Sequence, residues 1–152
     1  MKDLILQFFH NTPLMAAMVS TLIAQAVKVI INLIVYKKFD ARLLFETGGM
    51  PSSHTACVGA LWTSIVVLYG MDSPLSAIAF VLGGIVYRDA VGVRRQAGIH
   101  AKILNEITKY EESDEHDLYL KPLKTLLGHT PTQALVGLAQ GFLVGILYAK
   151  FI

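Results

Sequence analysis

Four stretches of this chain are apolar over close to the ~20 residues that an α-helix needs to cross the hydrocarbon core of a bilayer. They run over residues 13–36, 52–70, 74–93 and 131–152. In lipid, every backbone donor and acceptor must be satisfied within its own segment, so such stretches fold as helices. The first carries one charge, Lys28, and the fourth carries only Lys150. The third has the shortest uninterrupted apolar run, Leu75 to Tyr87, and ends near Arg88 and Asp89. The expected architecture is all-α: a polytopic membrane bundle of about four transmembrane helices plus an interfacial amphipathic helix, in one domain over residues 1–152. Composition points the same way. Charged residues make up 16% of the chain, against about 25% in a typical soluble domain. With a net charge of +2, this argues against a disordered chain or a nucleic-acid partner. The single cysteine, Cys57, can form neither an internal disulfide nor a cysteine zinc cage, and reads as a small apolar residue.

Each segment opens on a helix-start signal. Thr12-Pro13, Ser73-Pro74 and Thr130-Pro131 place a capping residue before a proline at the first helical position. Pro51-Ser52-Ser53 is similar, with the proline one step earlier. Gly83-Gly84, and Gly137, Gly141 and Gly145 at four-residue spacing, are expected to let helices pack closely. The competing reading of the N-terminus is a signal peptide cut near Ala24-Gln25-Ala26. Asp3 and the His10-Asn11-Thr12-Pro13 interruption argue against it.

With four spans, the loops 37–50 and 94–129 share one side of the membrane. They hold Lys37, Lys38, Arg42, Arg94, Arg95, Lys102, Lys109, Lys121 and Lys124, whereas the terminal side holds only Lys2 and Lys150. The positive-inside rule then places the loops in the cytoplasm and the termini outside a plasma membrane. Within the longer loop, residues 100–110 have helical spacing, with Ile103, Leu104 and Ile107 on one side. This is the expected interfacial helix. Residues 111–117 read as a solvated acidic loop.

The same side collects the unusual residues. Ser52, Ser53 and His54 begin the second span; Arg88, Asp89, Arg94 and Arg95 follow the third; His129 and Thr130 begin the fourth. Lys28 lies eight residues before Tyr36, about 12 Å below that face at the helical rise. An ionisable residue at this depth is a functional candidate; snorkelling to the interface is the alternative. Arg88-Asp89 reads equally as a helix-end ion pair. Two helix N-termini, arginines and a lysine suit a phosphate ester. Two histidines can divide nucleophilic attack and leaving-group protonation. No carboxylate cluster or HxxxH pair has metal-ligand spacing, so neither metal nor cofactor is expected. His10, His100 and His116 stand apart and read as interfacial or solvated. Trp62 and Tyr69 read as packing or interfacial anchors.

Residues 48–56, GGMPSSHTA, resemble the Pro-Ser-Gly-His motif of the type-2 phosphatidic acid phosphatase superfamily, and more closely its divergent branch of small membrane proteins related to acid phosphatase and vanadium-dependent haloperoxidase. Residues 89–98, DAVGVRRQAG, and 127–131, LGHTP, followed by Gly137, resemble further signatures of that branch. The resemblance covers essentially the whole chain, in order. It implies that His129 attacks phosphorus and becomes a phosphohistidine, that His54 protonates the leaving group, that Ser52 and Ser53 cradle phosphate oxygens, and that Lys28 is the first-motif lysine.

The chain departs from the pattern at three places. Val35 and Tyr36 stand where the first motif has Arg-Pro, and Leu123 where the third has arginine. Gln133 stands where a carboxylate orients the nucleophilic histidine. An amide holds an imidazole but does not stabilise its charge, and in a serine-protease triad Asp to Asn costs about 10⁴ in kcat. Thr130-Pro131-Thr132-Gln133 also fits a helix capping box. Arg94, Arg95 or Arg88 can supply phosphate-binding cations, and Asp89 the missing orienting charge. The leading expectation is a metal-independent lipid phosphate phosphatase acting on a monoester or pyrophosphate headgroup at the cytoplasmic face. The alternatives are a weak or inactive phospholipid-binding scaffold on the same fold and, behind it, a small oligomeric transporter. Four spans give little depth for a closed pocket, which admits a homodimer.

Overall fold

The computed structural model describes residues 2–37, 39, 43, 48–111, 122–125 and 127–152. Among them the helices are α1 (Lys2–Phe9), α2 (Thr12–Tyr36), α3 (Ser53–Tyr69), α4 (Pro74–Val91), α5 (Val93–Glu111) and α6 (Pro131–Phe151). Three helical stretches are long and apolar enough to cross a membrane: Thr12–Val35, Pro74–Thr108 across the α4–α5 junction, and Pro131–Phe151. α3 is a shorter apolar helix. The chain is therefore a helical membrane protein.

α3 is the central helix, packed against α2, α4 and α6. Its 17 residues span about 25 Å at the helical rise, a little under the ~30 Å hydrocarbon core. Position offsets length here, because its neighbours cover most of its surface. Ser53, Thr55, Ala56, Val58, Gly59, Ala60, Ser64 and Ile65 are all buried. The outer helices instead turn large side chains such as Leu22, Ile34, Ile78 and Leu143 outward, the pattern of a bundle whose solvent is lipid.

Small residues make the α3–α6 seam. A Cβ on Gly141 would meet Ala60 N at 2.9 Å and the Ala56 carbonyl closer still. Gly137 meets the Ser52 carbonyl and Gly145 the Ala60 carbonyl in the same way. Close approach allows hydrogen bonds between helices. Thr55 Oγ1 donates to the Ala134 carbonyl at 2.8 Å, and Ser20 Oγ to the Ala56 carbonyl at 3.0 Å. Gln140 Nε2 donates to the Ser20 carbonyl at 2.9 Å. These bonds tie α2, α3 and α6 into one unit.

Three expectations change. The cap of α2 is Asn11, whose side chain accepts from Leu14 N at 3.2 Å; Thr12 is already helical. Residues 2–9, left unassigned by the sequence, form a short helix against α2. The third span ends at Val91: the Gly92 N–H closes α4 on the Arg88 carbonyl at 2.8 Å, and α5 starts at Val93. The amphipathic helix thus begins seven residues earlier than its periodicity suggested. Arg94 and Arg95 belong to its first turn, not to the end of the span. Its Ile103, Leu104 and Ile107 are about half exposed. Residues 112–117 of the acidic stretch lie outside the described residues.

Candidate functional site

The site forms where three helix ends meet. Ser52 caps α3, its Oγ accepting from Thr55 N at 3.4 Å. Ser52 N donates to the Gln133 carbonyl at 3.2 Å, which aligns the N-terminus of α3 with that of α6. At the head of α6, Thr130 Oγ1 accepts from Gln133 N at 3.3 Å, and Gln133 Oε1 accepts from Thr130 N at 3.0 Å. This is the capping box that the residue order suggests. Both helices therefore turn their positive dipole ends to the same level.

His129 sits one residue before that cap. Its backbone N–H donates to the Ala90 carbonyl at 2.9 Å, fixing it to the last turn of α4. Gly128 has φ +76°, and a Cβ there would run into the Arg95 backbone. The Thr125 and Leu127 carbonyls lie equally close to Gly98, at 2.9 and 2.8 Å from a Cβ built on it. The turn before His129 is thus wedged onto the first two turns of α5, and glycine at 98 and 128 is what lets it approach.

The His129 side chain is buried at 2% exposure, and neither ring nitrogen has a hydrogen-bond partner among the described residues. Burial, followed by the nearby charges of Lys28, His54 and Arg94, lowers its pKa to about 4. The ring is neutral at pH 7, with a lone pair for attack. An unpartnered polar group in the interior costs about 1–3 kcal/mol, and such groups in folded proteins call for an explanation.

Lys28 is 3% exposed, and its stem lies under Gly49, whose Cβ would stand 3.4 Å from Lys28 Cδ. The side chain is covered rather than snorkelling to water. Gly49 itself has φ +87°, a backbone state that favours glycine. The charges that reach the His54 ring come from Arg94, Lys28 and Asp89. The fold thus gathers Lys28, His54, Arg94 and His129 from four separate segments. Arg95, His129, Thr130 and Gln133 line a cavity of about 300 Å³.

Other candidates are placed differently. Asp89 pairs with Arg94 through a 2.5 Å contact to Nε, so the helix-end pair is Asp89–Arg94 and not Arg88–Asp89. Arg88 is exposed. Ser52 is fully buried and spends its hydroxyl on the cap; Ser53 is also buried. Gln133 holds Thr130 N rather than the His129 ring. His10 is exposed, with Nδ1 at 2.6 Å from the Leu6 carbonyl; His100 is exposed; His116 lies outside the described residues. Trp62 packs its ring between those of Phe80 and Phe142. The cavity also includes Lys102, which the sequence reading counted only towards topology. Arg95, Gly98 and Lys102 at i, i+3 and i+7 on one helix face are the signal that marks it.

Comparison with known proteins identifies the family. The model of the Divergent PAP2 family matches residues 9–144. An uncharacterized membrane protein of Bacillus subtilis (strain 168), YuiD, is 36% identical over 157 residues, covering 96% of this chain and 99% of that protein. No solved structure matches significantly.

Proposed function

The chain belongs to the Divergent PAP2 family, and from that premise we propose that it is a membrane phosphatase that hydrolyses a lipid phosphate through His129. One observation carries the reading: a buried neutral imidazole without a hydrogen-bond partner among the described residues, ringed by Lys28, His54 and Arg94 beside two helix N-termini. A phosphoryl group there meets fixed cations and backbone dipoles, which stabilise the charge that builds in transfer.

The reaction takes two steps. A ring nitrogen of His129 attacks phosphorus, the N–P bond forms and the P–O bond to the lipid breaks. The departing lipid oxygen takes its proton from His54, in the imidazolium form that a bound phosphate dianion favours. Water then attacks the phosphohistidine, His54 receives the water proton, the N–P bond breaks, and inorganic phosphate leaves. Arg95 and Lys102 line the cavity beside His129 and offer further cations to the headgroup or the product. The basic character of residues 94–102 favours a cytoplasmic location for this face. Single cysteines placed within residues 111–117, in a Cys57→Ala background, are expected to resist an impermeant thiol reagent in intact cells. Labelling from outside would reverse the orientation.

The decisive test is phosphate release by the purified protein from phosphatidic acid, phosphatidylglycerophosphate and a polyprenyl pyrophosphate, with His129→Ala alongside. We expect release that falls by at least about 10³-fold in His129→Ala, the scale of losing a nucleophile that acts with a partner. A second reading has its own observation. Gln133 is bound into the capping box and, among the described residues, no carboxylate holds the His129 ring, which suits a headgroup binder without turnover. Absence of release from folded protein that still binds phosphatidic acid would favour it.

A further inference from the structure

A groove lies below the site along the apolar part of the bundle, with Phe80 and Leu135 exposed on its rim. It has a volume of about 420 Å³ and is walled by α3, α4 and α6. Gly83 and Gly84 form its floor on α4, Trp62 and Phe142 flank its far end, and Tyr87 and Leu135 its near end. The glycines create the space. A Cβ on Gly84 would meet nothing within 4 Å, and one on Gly83 would only touch Val58 at 3.8 Å.

Its direction is set by the helices. From Phe80 to Tyr87, and from Phe142 back to Leu135, it rises about 10 Å towards the His129 face. Ala90, which holds His129, is three residues beyond Tyr87. On α3 the row through Trp62 and Val58 continues one turn on to His54. The apolar slot therefore leads to His54, while the polar cavity of Arg95 and Lys102 opens beside His129. In-line phosphoryl transfer needs the nucleophile and the leaving group on opposite sides of phosphorus.

We propose that the slot between α4 and α6, floored by Gly83 and Gly84 and headed by His54, binds the acyl chain of the lipid leaving group. The proposal rests on the phosphatase reading and adds to it that the protein grips the tail as well as the headgroup. About 420 Å³ spread along ~10 Å leaves room for an extended hydrocarbon chain, and the exposed Phe80 and Leu135 on its rim let that chain enter from the bilayer. It also lies at the depth where lipid tails are the surrounding solvent.

Trp62 is the single tryptophan of the chain and reports directly on the slot. The purified protein in detergent would be titrated with phosphatidic acid brominated halfway along its acyl chains, and with phosphatidylcholine brominated in the same way. We expect phosphatidic acid to quench Trp62 saturably and beyond phosphatidylcholine, and the excess to vanish in Gly84→Phe. Gly84→Leu provides a second, smaller plug. In the hydrolysis assay, the ratio of kcat/KM for dioleoyl over dihexanoyl phosphatidic acid is expected to fall about tenfold in Gly84→Phe, the scale on which an apolar pocket discriminates. Equal quenching by the two lipids, or an excess that both variants retain, would overturn the slot. Quenching needs no turnover. Loss of the phosphatase reading, with no phosphate released from any lipid, is therefore distinct from loss of this one.

Discussion

The α3–α6 seam and the α4–α6 slot are both lined by glycines, yet they do opposite things. In the seam, Gly137, Gly141 and Gly145 let the backbone of α3 come so close that any Cβ would collide with a carbonyl. In the slot, a Cβ on Gly84 would face open space and one on Gly83 would only touch Val58. Spacing explains part of the difference. Glycines four apart recur on one helix face and build a continuous groove for a neighbour. An adjacent pair points in two directions and makes only a local hollow. Polar bonding explains the rest. Thr55, Ser20 and Gln140 bond across the α2–α3–α6 core, whereas the lining of the slot is almost wholly apolar. A glycine on a membrane helix thus marks missing volume, and its neighbours decide whether backbone or a ligand fills it.

The largest effect should come from Gly141→Leu. Its side chain would be driven into the α3 backbone, which cannot yield as a flexible side chain can. Overpacking a core typically costs about 1–3 kcal/mol, and a backbone collision belongs at or above the top of that range. We expect loss of a monodisperse folded protein by size exclusion in detergent. A variant that melts with the wild type would break the account of the seam.

A smaller effect concerns the head of the seam. Burial, followed by the Lys28, His54 and Arg94 charges, lowers the His129 pKa to about 4, from 6.5 for a free imidazole. Between those values the unfolded chain binds a proton that the folded chain refuses. The stability due to this group is therefore complete above about pH 6.5 and is lost as pH falls towards 4. Melting temperature should decline more steeply over that window in the wild type than in His129→Gln. Parallel slopes would show that the ring is not held neutral.

The smallest effect sharpens the comparison from the other side. Gly84→Leu fills open space, so the melting temperature should stay within the range of an ordinary surface change, about 0.5 kcal/mol. A loss comparable to that of Gly141→Leu would mean that α4 packs as tightly on α6 as α3 does.

Much of this was legible in the residue order. Four apolar runs demanded membrane helices, because lipid offers the backbone no other partner. Ser52, Ser73 and Thr130 marked helix starts through local bonds that the sequence encodes directly, and the Thr130–Gln133 box formed as written. The α4–α5 break was misplaced by two residues because one glycine, Gly92, turns the chain without interrupting the apolar pattern. Lys102 passed as a topological charge because its place in the cavity depends on which face of α5 meets Thr125, Leu127 and Gly128.

The sequence alone determined that the chain enters a membrane as helices and where most of them start. Each follows from local composition and short-range bonds. Only the tertiary structure decided that Asp89 pairs with Arg94 and not Arg88, that Lys28 is buried beneath Gly49, and that one set of glycines closes a seam while another leaves a slot. Those outcomes depend on which helix faces meet, a long-range packing result that no local pattern specifies.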